Sequence, residues 1–255
     1  MEKQQLAAQY LDILGSLDTA LLDKFRPDAG NHAKLSGLFL PSVPPNIQQA
    51  RHRVMVVGAE TAGWKVLNKD ERFTDLPAYI EKAMNRHQYI FESGLNKEKS
   101  RGFTFFNFLR SAAKQCGTDG LIYTNLFCFD WKGGSPIGSP YFDTIKKYSE
   151  QLLKVQINFF KPDIIIFANG ISSASHRRGF FPIKGDGQVC RNSKDYYSQH
   201  KITKHHLWEF TLHDKIRCLR IHHPSAFSKK AQEARKFIIS LLPFDEKQPT
   251  LPAVS

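Results

Sequence analysis

Four polar residues that could share one reaction each stand just behind a short apolar run. Glu60 follows the run in VMVVGAETAGW, Asn125 follows LIYT, Asn169 with Gly170 follows IIIFA, and His223 lies in IHHPSAFS. A carboxylate can orient a water molecule or stabilise a developing cation. An imidazole can stabilise negative charge on a leaving group, and amides can read a hydrogen-bonding edge. Together these suit a reaction with an oxocarbenium-like transition state. Singly each is weak, because Asn-Gly is most often a turn and a histidine beside a strand is more often structural.

Other chemistries are excluded by pattern. GAETAG lacks the Gly-Lys-Ser/Thr ending of a phosphate loop and the G-x-G-x-x-G dinucleotide spacing. No G-x-S-x-G occurs, so a serine-hydrolase elbow is absent. Cys116, Cys128, Cys190 and Cys218 are scattered without a C-x-x-C pair, which gives neither zinc nor iron–sulfur spacing. His200, His205 and His206 cluster, but no carboxylate or cysteine accompanies them at ligand spacing. Neither a metal nor a cofactor is expected.

The elements that must position the four residues follow from the runs themselves. Arg53–Val57, Leu121–Thr124, Asp163–Ala168 and Ile216–Ile221 are continuous apolar or β-branched stretches, as in strands covered on both faces. Helical patterns lie between and after them, at Leu76–Glu92, Phe103–Lys114, Thr144–Phe160 and Lys229–Leu242. Lys161-Pro162-Asp163 punctuates the third helix. The alternation predicts an α/β fold, a three-layer α/β/α sandwich around a central, mainly parallel sheet of about four strands. Ligands bind such sheets outside the carboxyl ends of the strands. The residues behind the runs therefore converge on one rim.

At 255 residues, with 41% hydrophobic and 24% charged residues, the chain reads as one globular domain over 1–242. An N-terminal amphipathic helix is expected over 3–24 and a disordered tail over 243–255. No apolar run approaches the ~20 residues of a membrane span, and the N-terminus lacks the order of a signal peptide, so a cytoplasmic location is expected. The net charge of +12, from 36 basic against 24 acidic residues, suits a polyanionic partner.

That charge is concentrated in 176–206. The segment carries Arg177, Arg178, Lys184, Arg191, Lys194, Lys201 and Lys204 against Asp186 and Asp195, interleaved with Phe180, Phe181, Tyr196 and Tyr197. Such a mixture suits phosphate contact with base or sugar stacking. The plainer alternative is a solvated loop whose aromatics pack beneath it. The segment is read as an inserted loop that grips DNA or lines an enlarged pocket.

VVGAETAG followed much later by IHHPSAFS resembles the two signature motifs of the uracil-DNA glycosylase superfamily, with LIYTN and IIIFANG between them in the family's order. The resemblance covers roughly residues 45 to 240 and implies the family's α/β/α fold. It also implies roles. Glu60 takes the place of the water-activating Asp or Asn, and Asn125 that of the base-reading asparagine. His223 takes the place of the histidine that stabilises the departing base. Gly58, Ala62 and Asn169 fall around the base, and Ser225 on the DNA side of the second motif. Phe227 falls where an apolar wedge holds the gap left by a flipped base. In RGFTFF, Phe103, Phe105 or Phe106 would stack on the base, with Phe103 favoured.

Three departures bear on substrate. Glu60 is one methylene longer than Asp, Thr61 stands where proline is usual, and Ala62 stands where strict uracil enzymes carry a tyrosine wall against 5-substituents. The resemblance and the missing wall imply a monofunctional DNA glycosylase for a 5-substituted cytosine, hydroxymethylated or glucosylated, in phage DNA. It would leave an abasic site. No lysine stands at the motif positions to form a Schiff base. The alternatives are repair of uracil or a damaged base, a catalytically inactive DNA-binding module, and an unrelated small-molecule hydrolase.

Overall fold

The computed structural model describes residues 1–98, 101–102 and 104–245. Three strands are apolar enough to be buried along their whole length: β1 (Val54–Gly58), β2 (Leu121–Asn125) and β3 (Ile164–Phe167). β1 pairs in parallel with β2 on one side and β3 on the other, with Gly58 opposite Asn125. β3 pairs in parallel with β6 (Ile216–Ile221). The four expected runs thus make one parallel unit.

The sheet does not stop there, and the expected count of about four strands is too low. Two more, β4 (Cys190–Asp195) and β5 (Leu207–Leu212), extend it antiparallel, giving a mixed six-stranded sheet in the order β2-β1-β3-β6-β5-β4. Antiparallel neighbours need only short connections, which His213 and Asp214 supply between β5 and β6 with positive φ. Glu209 on β5 fastens the extension, accepting from Arg217 Nη2 at 2.7 Å and from Lys194 Nζ at 3.0 Å. The segment 176–206 is therefore no inserted loop. It holds most of α5 (Ala174–Phe180), all of β4, and the single turn α6 (Tyr197–His200).

The helices start and stop where local chemistry directs. Asp75 caps α2 (Leu76–Asn96) by accepting from Ala78 N at 2.8 Å, with proline in the first turn. α4 (Phe142–Phe160) ends at Lys161, which adopts a left-handed conformation before Pro162. Ser228 caps α7 (Lys229–Ser240). The connections β1→β2 and β2→β3 cross the sheet in opposite directions, so right-handed crossovers put α2 and α3 (Thr104–Cys116) on one face and α4 on the other.

The N-terminal helix is shorter than 3–24. α1 covers Glu2–Leu14 and ends at Gly15, and Asp18 then caps a separate 3-10 turn over Thr19–Leu21. Glycine weakens the helix and aspartate competes for its backbone, so the apolar pattern does not carry it further. Beyond that turn a strap over residues 35–39 crosses the rim. Ser36 and Asp130 exchange two hydrogen bonds, Gly37 N donates to Trp64 O at 2.7 Å, and Phe39 N to Cys128 O at 2.8 Å.

Of the expected tail, Asp245 still donates to Gln115 O at 2.9 Å, and 246–255 lie outside the described residues. Among the described residues no helix is long and apolar enough to cross a membrane.

Candidate active site

The loop after β1 is shaped by a carboxylate from elsewhere. Gly58 O and Ala59 O accept from Leu126 N and Phe127 N, both at 2.9 Å, so the ladder with β2 runs on past the strand. The chain then turns around Asp130. Its Oδ2 accepts from Gly63 N at 2.7 Å, Thr61 Oγ1 at 3.2 Å and Trp64 N at 3.4 Å, while Oδ1 accepts from Gly133 N at 2.9 Å. Gly63 takes φ +72°, which a side chain resists. Glu60 projects half-buried from this turn. Burial, and next the charge of Asp130, push its carboxyl above the usual glutamate range.

Asn125 faces it from the end of β2. Its Nδ2 donates to the Tyr123 hydroxyl at 3.3 Å, and its Oδ1 has no partner among the described residues. A buried amide oxygen left so wants an N–H from a ligand. Burial pushes the Tyr123 hydroxyl up to about 12, so it stays protonated. Gly58 is the residue that allows this approach. A side chain there would collide with Asn125 Oδ1 and come within 3.1 Å of the Phe105 ring.

Phe105 closes the third side, its ring stacked at 5.8 Å on His223 and 5.2 Å from Tyr123. Phe103, the aromatic favoured from sequence, lies outside the described residues. Ser225 N donates to His223 Nδ1 at 3.2 Å, and Ser225 Oγ lies 2.6 Å from the same atom. Nδ1 therefore carries the lone pair and Nε2 the proton. Burial, and then the nearby Arg235, hold the His223 pKa below the usual value. The ring is a neutral donor.

Arg235 also braces the loop, donating to Ala226 O at 2.8 Å, while Gln232 donates to Phe227 O at 2.8 Å. Phe227 stands on this braced loop 83% exposed. Gly58, Glu60, Ala62, Asn125, Phe105, His223 and Ser225 line one open pocket of about 630 Å³.

Three of the expected contacts are placed differently. Asn169 is buried at 1% exposure and does not line the pocket. It turns below the rim, where Ser173 Oγ donates to its carbonyl, and only its neighbour Gly170 abuts His223. Arg177 is turned inward, with its guanidinium 5.3 Å from the Phe167 ring and 5.0 Å from Phe210. Burial pushes its pKa down to about 10, and it presents no charge to a ligand. Lys184 is exposed but lies on the loop leading into β4, which begins at the end of the sheet remote from the pocket, beside Leu212 and His213. Arg178 is exposed on α5.

The part of the segment that does reach the pocket end of the sheet follows Asp195, which pairs with Trp208. There Arg220 Nη1 donates to His205 O at 2.9 Å, and the rings of His206 and His222 stack at 4.5 Å. Lys201 and Lys204 are on this stretch, the first exposed and the second 5.4 Å over the Tyr197 ring. Sequence reading missed Tyr123, which lies within LIYTN as an apparent core position, and Asp130 and Arg235, which sit in no recognisable motif. It also missed Lys65, which the fold brings into the pocket wall. A scan of known protein-family models finds none that matches this chain, and a search of curated proteins finds no relative by sequence similarity.

Proposed function

We propose that the protein is a DNA glycosylase with the fold and mechanism of the uracil-DNA glycosylase superfamily, acting on a 5-substituted cytosine. The observation that carries the reading is the meeting, in one pocket, of half-buried Glu60, a neutral His223 whose Nδ1 is the accepting nitrogen, and the Oδ1 of Asn125, which has no partner among the described residues.

The chemistry follows from these groups. A base flipped into the pocket stacks on Phe105 and gives an N–H to Asn125 Oδ1. As the bond between N1 and C1′ breaks, its electron pair moves onto the base, and His223 Nε2–H stabilises the charge gathering at O2. The Glu60 carboxylate stabilises the cation at C1′ and orients the water whose oxygen bonds there. The water's proton passes to the carboxylate or to the departing base. Ala62 leaves room at the wall, and Phe227 fills the gap in the duplex. Lys201, Lys204 and Arg220 supply charge for the DNA backbone, taking the part that sequence reading gave to Arg177 and Lys184.

Wild type and Glu60→Gln are incubated with plain, uracil-containing, 5-hydroxymethylated and glucosylated DNA, and abasic sites are counted. We expect abasic sites on modified cytosine alone, lost in the variant. Cleavage of uracil would return the enzyme to base repair. Silence on every DNA, with salt-sensitive binding intact, would leave a binding module. Lys65 makes the monofunctional assignment a matter for measurement too: strand cleavage without alkali would reveal a lyase step.

A further inference from the structure

The pocket extends well beyond the space a pyrimidine ring needs. Past Ala62 its wall continues over Trp64, Lys65 and Arg86. The Trp64 ring packs edge-on against Phe39 at 5.0 Å, and the Arg86 guanidinium lies 6.0 Å from it. The Trp64 indole N–H is buried and has no acceptor among the described residues. Lys65 and Arg86 are exposed and have neither hydrogen bond nor ion pair among the described residues. These three side chains offer donors only, so this wall lacks an acceptor-rich partner.

Ring geometry keeps a substituent off the histidine side of the pocket. In a pyrimidine, C2 and C5 are opposite corners. With O2 held by His223, a group on C5 points away from that histidine, toward walls that do not touch it. Glu60 borders the same pocket, which disfavours an anion and leaves a neutral, hydroxyl-rich group as the better match. An aromatic ring beside donor side chains is also how proteins commonly hold a sugar. We propose that Trp64, Lys65 and Arg86 form a subsite for a hexose carried on carbon 5 of the flipped base. The inference rests on the glycosylase reading above.

The test uses the Glu60→Gln enzyme as a non-cleaving binder. Its affinity is measured for duplexes carrying one cytosine that is unmodified, 5-methylated, 5-carboxylated or 5-glucosyloxymethylated. Glucosylated DNA should bind about tenfold more tightly than methylated DNA, the scale of one hydrogen bond from a charged donor. Adding Lys65→Ala and Arg86→Ala should erase that preference while leaving affinity for methylated DNA unchanged. The Trp64 indole N–H resonance should shift only with the glucosylated duplex.

Equal losses on all four DNAs, with a shallower salt dependence, would make these cations phosphate contacts and overturn the proposal. A preference for the carboxylated duplex alone would overturn the sugar assignment. If the wild-type enzyme cleaves none of these DNAs, its action on these cytosines fails, while the ranking of affinities still decides the subsite.

Discussion

Asp130 is a residue with no motif around it, and exchanging it for asparagine probes whether it builds the loop that carries Glu60. Four donors converge on its carboxylate, at 2.7, 3.2 and 3.4 Å on one oxygen and 2.9 Å on the other. Asparagine keeps one acceptor. Its less costly orientation gives the oxygen to Gly63, Thr61 and Trp64 and turns the NH2 toward the Gly133 N–H. One bond is then lost outright and the others lose charge assistance, together about 3 kcal/mol. Removing a buried charge offsets part of this, so the net loss should be about 2–3 kcal/mol. For a chain of this length that lowers Tm by about 4–12 °C, readable by circular dichroism with a matching shift in urea midpoint. The same exchange removes the charge that helps raise Glu60. Activity needs the ionised carboxylate, so the acidic limb of the rate profile should move to lower pH. A variant that melts within about 2 °C of wild type, with an unmoved limb, would refute the role given to Asp130.

Three further outcomes follow from geometry. Gly58→Ala should cost about 1–3 kcal/mol in overpacking and weaken binding of modified DNA out of proportion, since Asn125 and Phe105 must both retreat; undiminished affinity would show that the approach is loose. His87 is buried between Ser42 N and Tyr123 O, and burial lowers it from 6.5 to about 4. The unfolded chain takes up its proton first as pH falls below 6.5, so His87 withdraws stability between those values, about 2 kcal/mol by pH 5. Urea midpoints at pH 7 and pH 5 should therefore differ less in His87→Gln than in wild type. Phe227→Ala should leave Tm unchanged, because the ring is exposed, yet slow excision from duplex DNA more than from single strands; equal slowing on both would argue against a wedge.

The parallel half of the sheet was legible because its strands are buried on both faces and so read as unbroken apolar runs. β5 escaped notice because LWEFTL is only partly buried and interrupted by Glu209, and β4, CRNSKD, because its outer residues are polar and solvent-facing. Tertiary pairing, not propensity, makes β4 a strand. At the site, Glu60, Asn125 and His223 were readable from their positions behind strands. Asp130 was not, since the turn it anchors, with Thr61, Gly63 and Trp64, lies more than sixty positions away in sequence. Arg177 and Arg178 looked alike as a basic pair, but adjacent helical residues point about 100° apart. One therefore lies on Phe167 and Phe210 while the other faces water. Clustering of charge along a chain does not say which charges are presented.

The strap over residues 35–39 bears on when the pocket can form. Ser36 must wait for Asp130, which is 94 positions later, before the turn bearing Glu60 has its anchor, and His223 comes later still. A growing chain can already carry basic residues capable of resting on a nucleic acid, yet it holds no formed pocket. The complete pocket is thereby deferred until nearly the whole domain has been made and folded.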